Sequence, residues 1–283
     1  MRLVWKGFAT LLVLSSSAPV HAATEGQFPV YTGDEFKTLY DHAVEDVLPN
    51  LHPPDGRLPV TGDPELDDRI WEIAIARGYV LRPLAGEDLG RADGVIMQPQ
   101  AAAAWDEMKA AARGTGHGFV VSSAYRSPES QRAQFMSKLT GTTDEAIDAA
   151  LTWYSIPGTS KHHGGYALDF RYWDGTFGAF RDTPDYAWLA ADNFHNAKRF
   201  GFIPSYPDDV AEQGPNPEPW EFVWVGTDLI ECGIPLALDS SWFGQHAAMV
   251  DEIARCPGTA SPPNLRRVLA HWLRRMPVAV VSF

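Results

Sequence analysis

The sequence predicts a mixed α and β fold for this chain of 283 residues. Amphipathic stretches with apolar residues at helical spacing recur along it, and the clearest covers residues 98–113. Between them lie short apolar or β-branched runs that are typical of strands, such as residues 119–125. Because 45% of the residues are hydrophobic, the chain has enough apolar material for a core, and this excludes a disordered protein.

The first 22 residues have the layout of a secretory signal peptide. Arg2 and Lys6 give a positive start, and an apolar run from Phe8 to Leu14 is followed by small residues up to Ala22. This run is shorter than the roughly 20 residues that span a bilayer. We expect cleavage near Ala22 and export, most simply to a bacterial periplasm. A retained N-terminal anchor is the alternative.

The charge of the chain restricts its partners. The formal net charge is −13, which disfavours binding to nucleic acid or to anionic lipid. No stretch after the signal peptide is apolar enough to predict a membrane span. The composition does not predict an oligomeric state.

The chain has two cysteines, Cys232 and Cys256. In an exported protein such a pair predicts a disulfide, with two buried thiols as the alternative. No C-x-x-C spacing accompanies them, so we do not interpret them as zinc ligands.

The N-terminal arm, residues 23–95, is expected to be largely irregular because Pro, Gly and Asp are frequent in it. Helical spacing of apolar residues predicts one helix over residues 34–47 and another over 64–77. The run at 78–82 predicts a strand, and the polar residues 84–95 predict a loop.

A core domain is expected over residues 96–226. It starts with the helix at 98–113 and the buried strand at 119–125. Ser127 then caps a helix over 128–139 that has proline at its first position. A further helix is expected over 143–153.

The second half of this core contains one helix and three strands. The strands are expected at 166–170, at 201–203 and from Trp220 onwards, and the helix at 185–199. Pro219 cannot lie in a central ladder, so the last strand begins after it. The final segment, 227–283, is expected to carry two helices, over 242–255 and 265–276. We interpret them as a packed helical extension, with a docking surface for another envelope component as the alternative.

One stretch combines metal-ligating side chains with flexible backbone. His162 and Asp169 are seven residues apart, and an imidazole and a carboxylate are both ordinary zinc ligands. Gly164 and Gly165 allow a tight turn that can return the strand to the histidine. A β-hairpin with a surface histidine pair is the alternative.

Three further charged residues are candidates for a role in chemistry. Arg126 lies where a strand meets a helix, so it can reach a carbonyl or carboxylate of a substrate, or form a surface ion pair. Glu221 alternates with Trp220 and Phe222 on its strand. Glu218 faces away from Glu221 if the chain is extended, whereas a turn at the proline would bring it back. Two exposed glutamates on an edge strand are the alternative.

Four blocks in order, from about Met97 to Gly226, resemble the VanY-type zinc D-alanyl-D-alanine carboxypeptidases. The first block is Ser123-Ala124-Tyr125-Arg126-Ser127 followed by Gln131, and the second is Ser160 to Asp169, which fits S-x-H-x-x-G-x-A-x-D. The third block comprises Trp188-Leu189, Arg199 to Phe202 and Tyr206-Pro207. The fourth is Glu218-Pro219-Trp220, the start of E-P-W-H.

The resemblance implies an α+β fold, with a small antiparallel sheet flanked by helices, and hydrolysis of peptidoglycan stem peptides. It implies that His162 and Asp169 bind zinc, that Glu218 is the general base and that Arg126 binds the substrate carbonyl. The cleft would be shaped by Ser123, Gln131 and Ser160.

The chain departs from the family pattern at one position, where Glu221 replaces the third histidine ligand. Glutamate can also bind zinc, although the added negative charge favours harder metals such as manganese. Three outcomes are open: Glu221 is the third ligand, His163 or another nearby group supplies it instead, or the site is weak or empty and the protein only binds muropeptides or a partner. An endopeptidase on the same fold is a further alternative.

Overall fold

The computed structural model describes residues 28–172 and 180–232. The predicted signal peptide, residue Cys256 and the two predicted C-terminal helices lie outside the described residues. The predictions made for them, including the disulfide, therefore stay predictions. In the part of the chain that is described, no helix is both long and apolar enough to cross a bilayer.

A four-stranded antiparallel sheet forms the centre of the molecule. Its strands, in spatial order, are β5 (Phe119–Ser123), β6 (Ala167–Tyr172), β8 (Glu221–Trp224) and β7 (Phe202–Pro204). All neighbouring pairs are antiparallel. Together with the surrounding helices, this sheet confirms the α+β class.

Most predicted helices are present, and their ends agree within a few residues. They are α1 (Gly33–His42), α2 (Pro64–Ala76), α3 (Pro99–Gly114), α4 (Pro128–Lys138), α5 (Asp144–Leu151) and α6 (Pro184–Lys198). A short helix that was not predicted, α7 (Thr227–Cys232), follows β8. A π-helical turn, Ala43–Val47, extends α1 over the rest of the predicted range.

Side-chain caps explain why these helices begin where the sequence predicts. The residue before the helix accepts a hydrogen bond from a first-turn amide at Thr32, Asp63, Ser127, Thr143 and Thr183. Each such cap stabilises a helix by about 1 kcal/mol.

The sheet has one apolar face and one polar face. On the apolar face the ring of Phe170 lies 5.2 Å from those of Trp105 and Phe119 and 5.4 Å from that of Phe222. Because side chains alternate along a strand, the neighbours Asp169 and Glu221 point the other way. The sheet therefore packs on α3 with one side and presents acidic residues on the other.

The prediction of a strand at 78–82 is wrong. Gly78 has a φ of 91°, and the Tyr79 amide donates to the carbonyl of Ala74, so these residues close the end of α2. The amide of Arg82 donates to the carbonyl of Gly158 instead of to a strand. The run is therefore an irregular connection in which Tyr79 and Arg82 are buried while Val80 and Leu81 stay exposed.

The prediction that residues 84–95 form a loop is also wrong in part. Leu84–Ala85 (β2) pairs with Leu51–His52 (β1), and Gly90–Ala92 (β3) pairs with Val95–Met97 (β4). Asp93 and Gly94 join β3 to β4 with φ values of 49° and 82°. Asp-Gly is a strong hairpin signal, whereas polar composition alone indicates only a loop.

Helix α6 contains a break that ties it to the N-terminal arm. Asp192, Asn193 and Phe194 have φ values of 50°, 57° and 63°. The side-chain amide of Asn193 donates to the carbonyl of Tyr31 and accepts from its amide, both at 2.8 Å. The break therefore fixes the start of the arm against the domain.

Candidate metal centre and active cleft

Three predicted metal ligands converge on the polar side of the sheet. The Nε2 atom of His162 lies 3.3 Å from an oxygen of Asp169 and 3.3 Å from an oxygen of Glu221. One potential ligand atom from each residue falls within 4.8 Å of the others, and all three residues are buried. The cluster could hold a metal ion.

The local fold explains this convergence. Asp169 on β6 is directly opposite Glu221 on β8 in the antiparallel register. His162 comes from a short 3₁₀ helix, Lys161–Gly164, that ends at Gly165 with a φ of 74°. This left-handed conformation is easily adopted by glycine, and it turns the chain directly into β6.

A backbone contact orients the imidazole of His162. Its Nδ1 atom lies 2.5 Å from the carbonyl oxygen of Ala124, so we assign the ring proton to Nδ1. Nε2 then faces the two carboxylates. Histidines that bind metals are commonly held in this way by a carbonyl behind the ring.

The donor set fits a divalent cation. It combines one imidazole nitrogen with two carboxylates, all of which are zinc ligands. The Oδ1 atom of Asp169 is buried, and its charged contact is the imidazole Nε2 of His162 at 3.3 Å, so it faces the point where a cation would bind.

The charges of the cluster are strongly coupled. Burial opposes protonation of His162, but the carboxylates of Asp169 and Glu221 raise its pKa to about 9. Burial likewise opposes ionisation of Glu221, but His162 lowers its pKa to about 2. The protein thus stabilises a positive charge at this point.

Glu218 joins the cluster through a turn. The amide of Glu221 donates to the carbonyl of Glu218 at 3.0 Å, so Pro219 and Trp220 form the middle of a β-turn. The turn brings the Glu218 side chain into the cleft beside Glu221. Burial and the nearby carboxylates of Glu221 and Asp169 raise the pKa of Glu218 well above its ordinary value.

Arg126 lies on the opposite side of Asp169 from β8, with its guanidinium held by neighbours. Nη1 donates to the side chain of Gln131 at 2.9 Å, and Nη2 donates to the hydroxyl of Ser123 at 3.1 Å. Nη2 also lies 3.7 Å from a carboxylate oxygen of Asp169. Ser123 and Gln131 therefore position the arginine.

Ser160 and His163 shape the loop around the metal centre. The hydroxyl of Ser160 accepts from the amide of His162 at 3.3 Å, and Ser160 also lines the cleft. The Nδ1 atom of His163 lies 2.7 Å from the Arg126 carbonyl, and Nε2 accepts from the Gly158 amide at 3.0 Å. Since both ring nitrogens are occupied, the hypothesis that His163 is the third ligand is wrong for this structure.

Residues 94–227 match the family model described as VanY: D-alanyl-D-alanine carboxypeptidase. The chain carries a VanY-family domain. The match begins within the β3–β4 hairpin and ends at the start of α7. It includes the three clustered residues, Arg126 and Glu218.

Comparison with known proteins gives several relatives of this VanY domain. A D-alanyl-D-alanine carboxypeptidase of Enterococcus faecalis (strain ATCC 700802 / V583) is 36% identical over 125 residues, which are 42% of this chain and 44% of that protein. The chain thus spans less than half the length of this curated relative.

Two solved structures are also similar. One is a mutant of the vancomycin-resistance D,D-pentapeptidase VanY from a VanB-type cassette in complex with Zn(II), with 28% identity, coverage of 54% of this chain and 91% of that one, and a TM-score of 0.45. The other is VanYB in complex with D-alanine-D-alanine, with 29% identity, coverage of 50% and 80%, and a TM-score of 0.44.

The cleft of the VanY domain has a volume of about 310 Å³. Five of its lining residues were not predicted to belong to a site or to a family block: Gln134, Trp153, Tyr154, Ser155 and Pro215. The rings of Trp153 and Trp220 lie 6.2 Å apart at this cleft. The exposed Trp153 follows α5 in sequence, and no local pattern signals that it approaches β8.

Proposed function

We propose that this protein is a metal-dependent D-alanyl-D-alanine carboxypeptidase that acts on peptidoglycan stem peptides. The observation that carries the proposal is the convergence of His162, Asp169 and Glu221 in one cleft with Arg126 and Glu218, inside a VanY-family domain. Zinc is the proposed metal, with manganese as the alternative because two of the three donors are carboxylates.

The proposed reaction hydrolyses the terminal peptide bond. A cation held by His162, Asp169 and Glu221 supplies Lewis-acid polarisation and favours ionisation of water. Glu218 takes a proton from the attacking water as the new C–O bond forms. It then returns the proton to the amine of the leaving D-alanine as the C–N bond breaks.

Arg126 stabilises charge in this proposal, and its neighbours hold it in place. Its guanidinium stabilises the negative charge that develops on the carbonyl oxygen in the transition state. Its contacts with Ser123 and Gln131 set its orientation before the substrate arrives, so that little rearrangement is needed during the reaction. Ser160, which lines the same cleft, supports the loop that carries His162.

We also propose that the protein acts after export, most simply in a bacterial periplasm. The support is the charge and apolar pattern of residues 1–22, which matches a cleaved signal peptide. Peptidoglycan stem peptides are accessible in that compartment.

A second function is favoured by one observation. The Nε2 atom of His162 contacts both carboxylates at 3.3 Å, so a protonated His162 can balance part of their negative charge without a metal. In that case the cleft would bind muropeptides or a partner without turnover.

The deciding experiment measures metal content and turnover on the same preparation. We expect about one zinc or manganese per chain of purified mature protein by elemental mass spectrometry after dialysis without chelator. We also expect release of free D-alanine from a muropeptide that ends in D-Ala-D-Ala. Metal-free protein that takes up no added zinc and releases no D-alanine would support the second function. Cleavage without free D-alanine would indicate an endopeptidase.

A further inference from the structure

Ser205 holds the Glu221 residue at two points. It follows β7 directly, and its hydroxyl donates to Oε1 of Glu221 at 2.6 Å. Its amide also donates to the carbonyl of Glu221 at 3.0 Å. Both residues are buried, so water does not compete for these contacts.

The hydroxyl contact leaves the two carboxylate oxygens of Glu221 in different environments. Oε1 is engaged by Ser205, whereas Oε2 faces Nε2 of His162. A carboxylate can bind a metal through one or two oxygens, while an imidazole offers a single nitrogen. Ser205 therefore restricts Glu221 to one free donor atom, which is the number that a histidine would offer at this position.

Lys161 in turn fixes the backbone of Ser205. Its Nζ atom donates to the carbonyl of Ser205 at 2.5 Å. The same atom lies 4.4 Å from the ring centroid of Tyr40 and 4.0 Å from that of Tyr206. Tyr40 belongs to α1, so the N-terminal arm contributes to the support of the cluster.

We propose that Ser205 is a positioning residue of the metal centre. Its hydroxyl holds Oε1 of Glu221, so that Glu221 binds the cation through Oε2 alone, and Lys161 keeps Ser205 in place. This inference rests on the proposed metal-dependent function. It specifies how Glu221, which replaces the family's third histidine ligand, would bind the metal.

The test measures metal affinity and does not depend on turnover. Metal-free wild-type protein and the Ser205→Ala and Ser205→Thr variants are titrated with Zn²⁺ in competition with a chromophoric chelator. Removal of a hydrogen-bond partner of a metal-binding side chain typically lowers metal affinity by about 10- to 100-fold. We expect a loss of this size for Ser205→Ala. Ser205→Thr retains the hydroxyl and should stay within about threefold of wild type.

Ser122→Ala is the matched control. The hydroxyl of Ser122 donates to the backbone carbonyl of Asp169 at 3.2 Å, so this serine contacts a proposed ligand residue without touching its carboxylate. We expect the Zn²⁺ affinity of Ser122→Ala to stay near that of the wild-type protein. Circular dichroism checks that all variants fold.

A spectroscopic signature separates positioning from packing. The Co²⁺ d–d spectrum reports the coordination of the metal, and we expect it to change in Ser205→Ala but not in Ser122→Ala. Unchanged affinity and spectrum in folded Ser205→Ala would overturn the inference, as would an equal loss in Ser205→Thr. Wild-type protein that binds no metal would overturn both the inference and the proposed function. Wild-type protein that binds metal without releasing D-alanine would overturn the proposed function alone.

Discussion

Asp169 and Glu221 face each other directly across the antiparallel strands β6 and β8. Like charges at opposed positions destabilise a sheet, so this buried pair requires a positive charge between them. The Nε2 atom of His162 lies 3.3 Å from each carboxylate and marks that point. The sheet register thus creates a site for a cation, and the loop before β6 completes it.

Replacing each of the two adjacent histidines should separate metal binding from stability. We expect His162→Ala to lose the metal while the fold is retained, because the ring belongs to neither hydrophobic core. We expect His163→Ala to keep the metal but to lower the free energy of unfolding by about 2 kcal/mol, since it leaves two buried backbone groups unpaired. Elemental mass spectrometry and urea unfolding measure the two effects. Stoichiometric metal in His162→Ala would contradict the assignment of the site.

Replacing the proposed base should remove turnover without removing the metal. We expect Glu218→Gln to lower kcat by about 10²- to 10⁴-fold, the usual contribution of general acid–base catalysis. The exposed Glu212→Gln serves as the control and should leave kcat unchanged. Release of D-alanine measures both. Full activity in Glu218→Gln would exclude this residue as the base.

The planar shape of the Arg126 guanidinium, and not only its charge, should contribute to activity. We expect Arg126→Lys to lower kcat/KM by about 10²- to 10³-fold, the range for losing one oxyanion donor, because lysine cannot contact both Ser123 and Gln131 as the planar fork does. Arg132→Lys on the following helix α4 is the control, since Arg132 donates to the carbonyls of Val60 and Thr61 and does not line the cleft. Equal effects in the two variants would point to a general loss of stability.

The break in α6 should contribute to stability through its hydrogen bonds. Asn193 makes two contacts with the backbone of Tyr31 and accepts from the Nζ atom of Lys198 at 2.9 Å. We expect Asn193→Ala to lower the free energy of unfolding by about 2 kcal/mol in urea titrations. Asp192→Ala controls for the backbone, because Asp192 also has a positive φ but an exposed side chain. Equal losses of unfolding free energy in the two variants would show that the effect comes from the positive-φ backbone and not from the hydrogen bonds of Asn193.

The ion pair between Asp41 and Arg82 should give an acid-dependent contribution to stability. Burial would raise the pKa of Asp41, but Arg82 at 2.9 Å and Lys37 outweigh it and lower the pKa. The contribution is complete above the unfolded pKa of about 3.9 and is lost as the pH falls through the lower folded value. We therefore expect the stability difference between wild type and Asp41→Asn to shrink as the pH is lowered below about 4. A constant difference in urea unfolding between neutral and acid pH would contradict this.

Local patterns in the sequence predicted most of the secondary structure. Caps such as Ser127 and Thr143 and the apolar stripe of α3 depend only on near neighbours, so the helices are readable from the chain. The strand at 78–82 was predicted wrongly because its hydrogen bonds go to Ala74 and Gly158, which no local pattern reveals.

The sequence by itself predicted the candidate site residues, because their types and spacing resemble the family pattern. It nominated His162, Asp169 and Glu221 as ligands, and their roles in metal binding stay predictions. Only the tertiary structure decided which atoms meet: the β6–β8 register sets Asp169 against Glu221, and the turn at Pro219 returns Glu218 to the cleft. It also decided the contact of Ser205 with Glu221, 16 residues away in sequence. Such contacts depend on how distant strands pair, and strand pairing is a property of the whole fold.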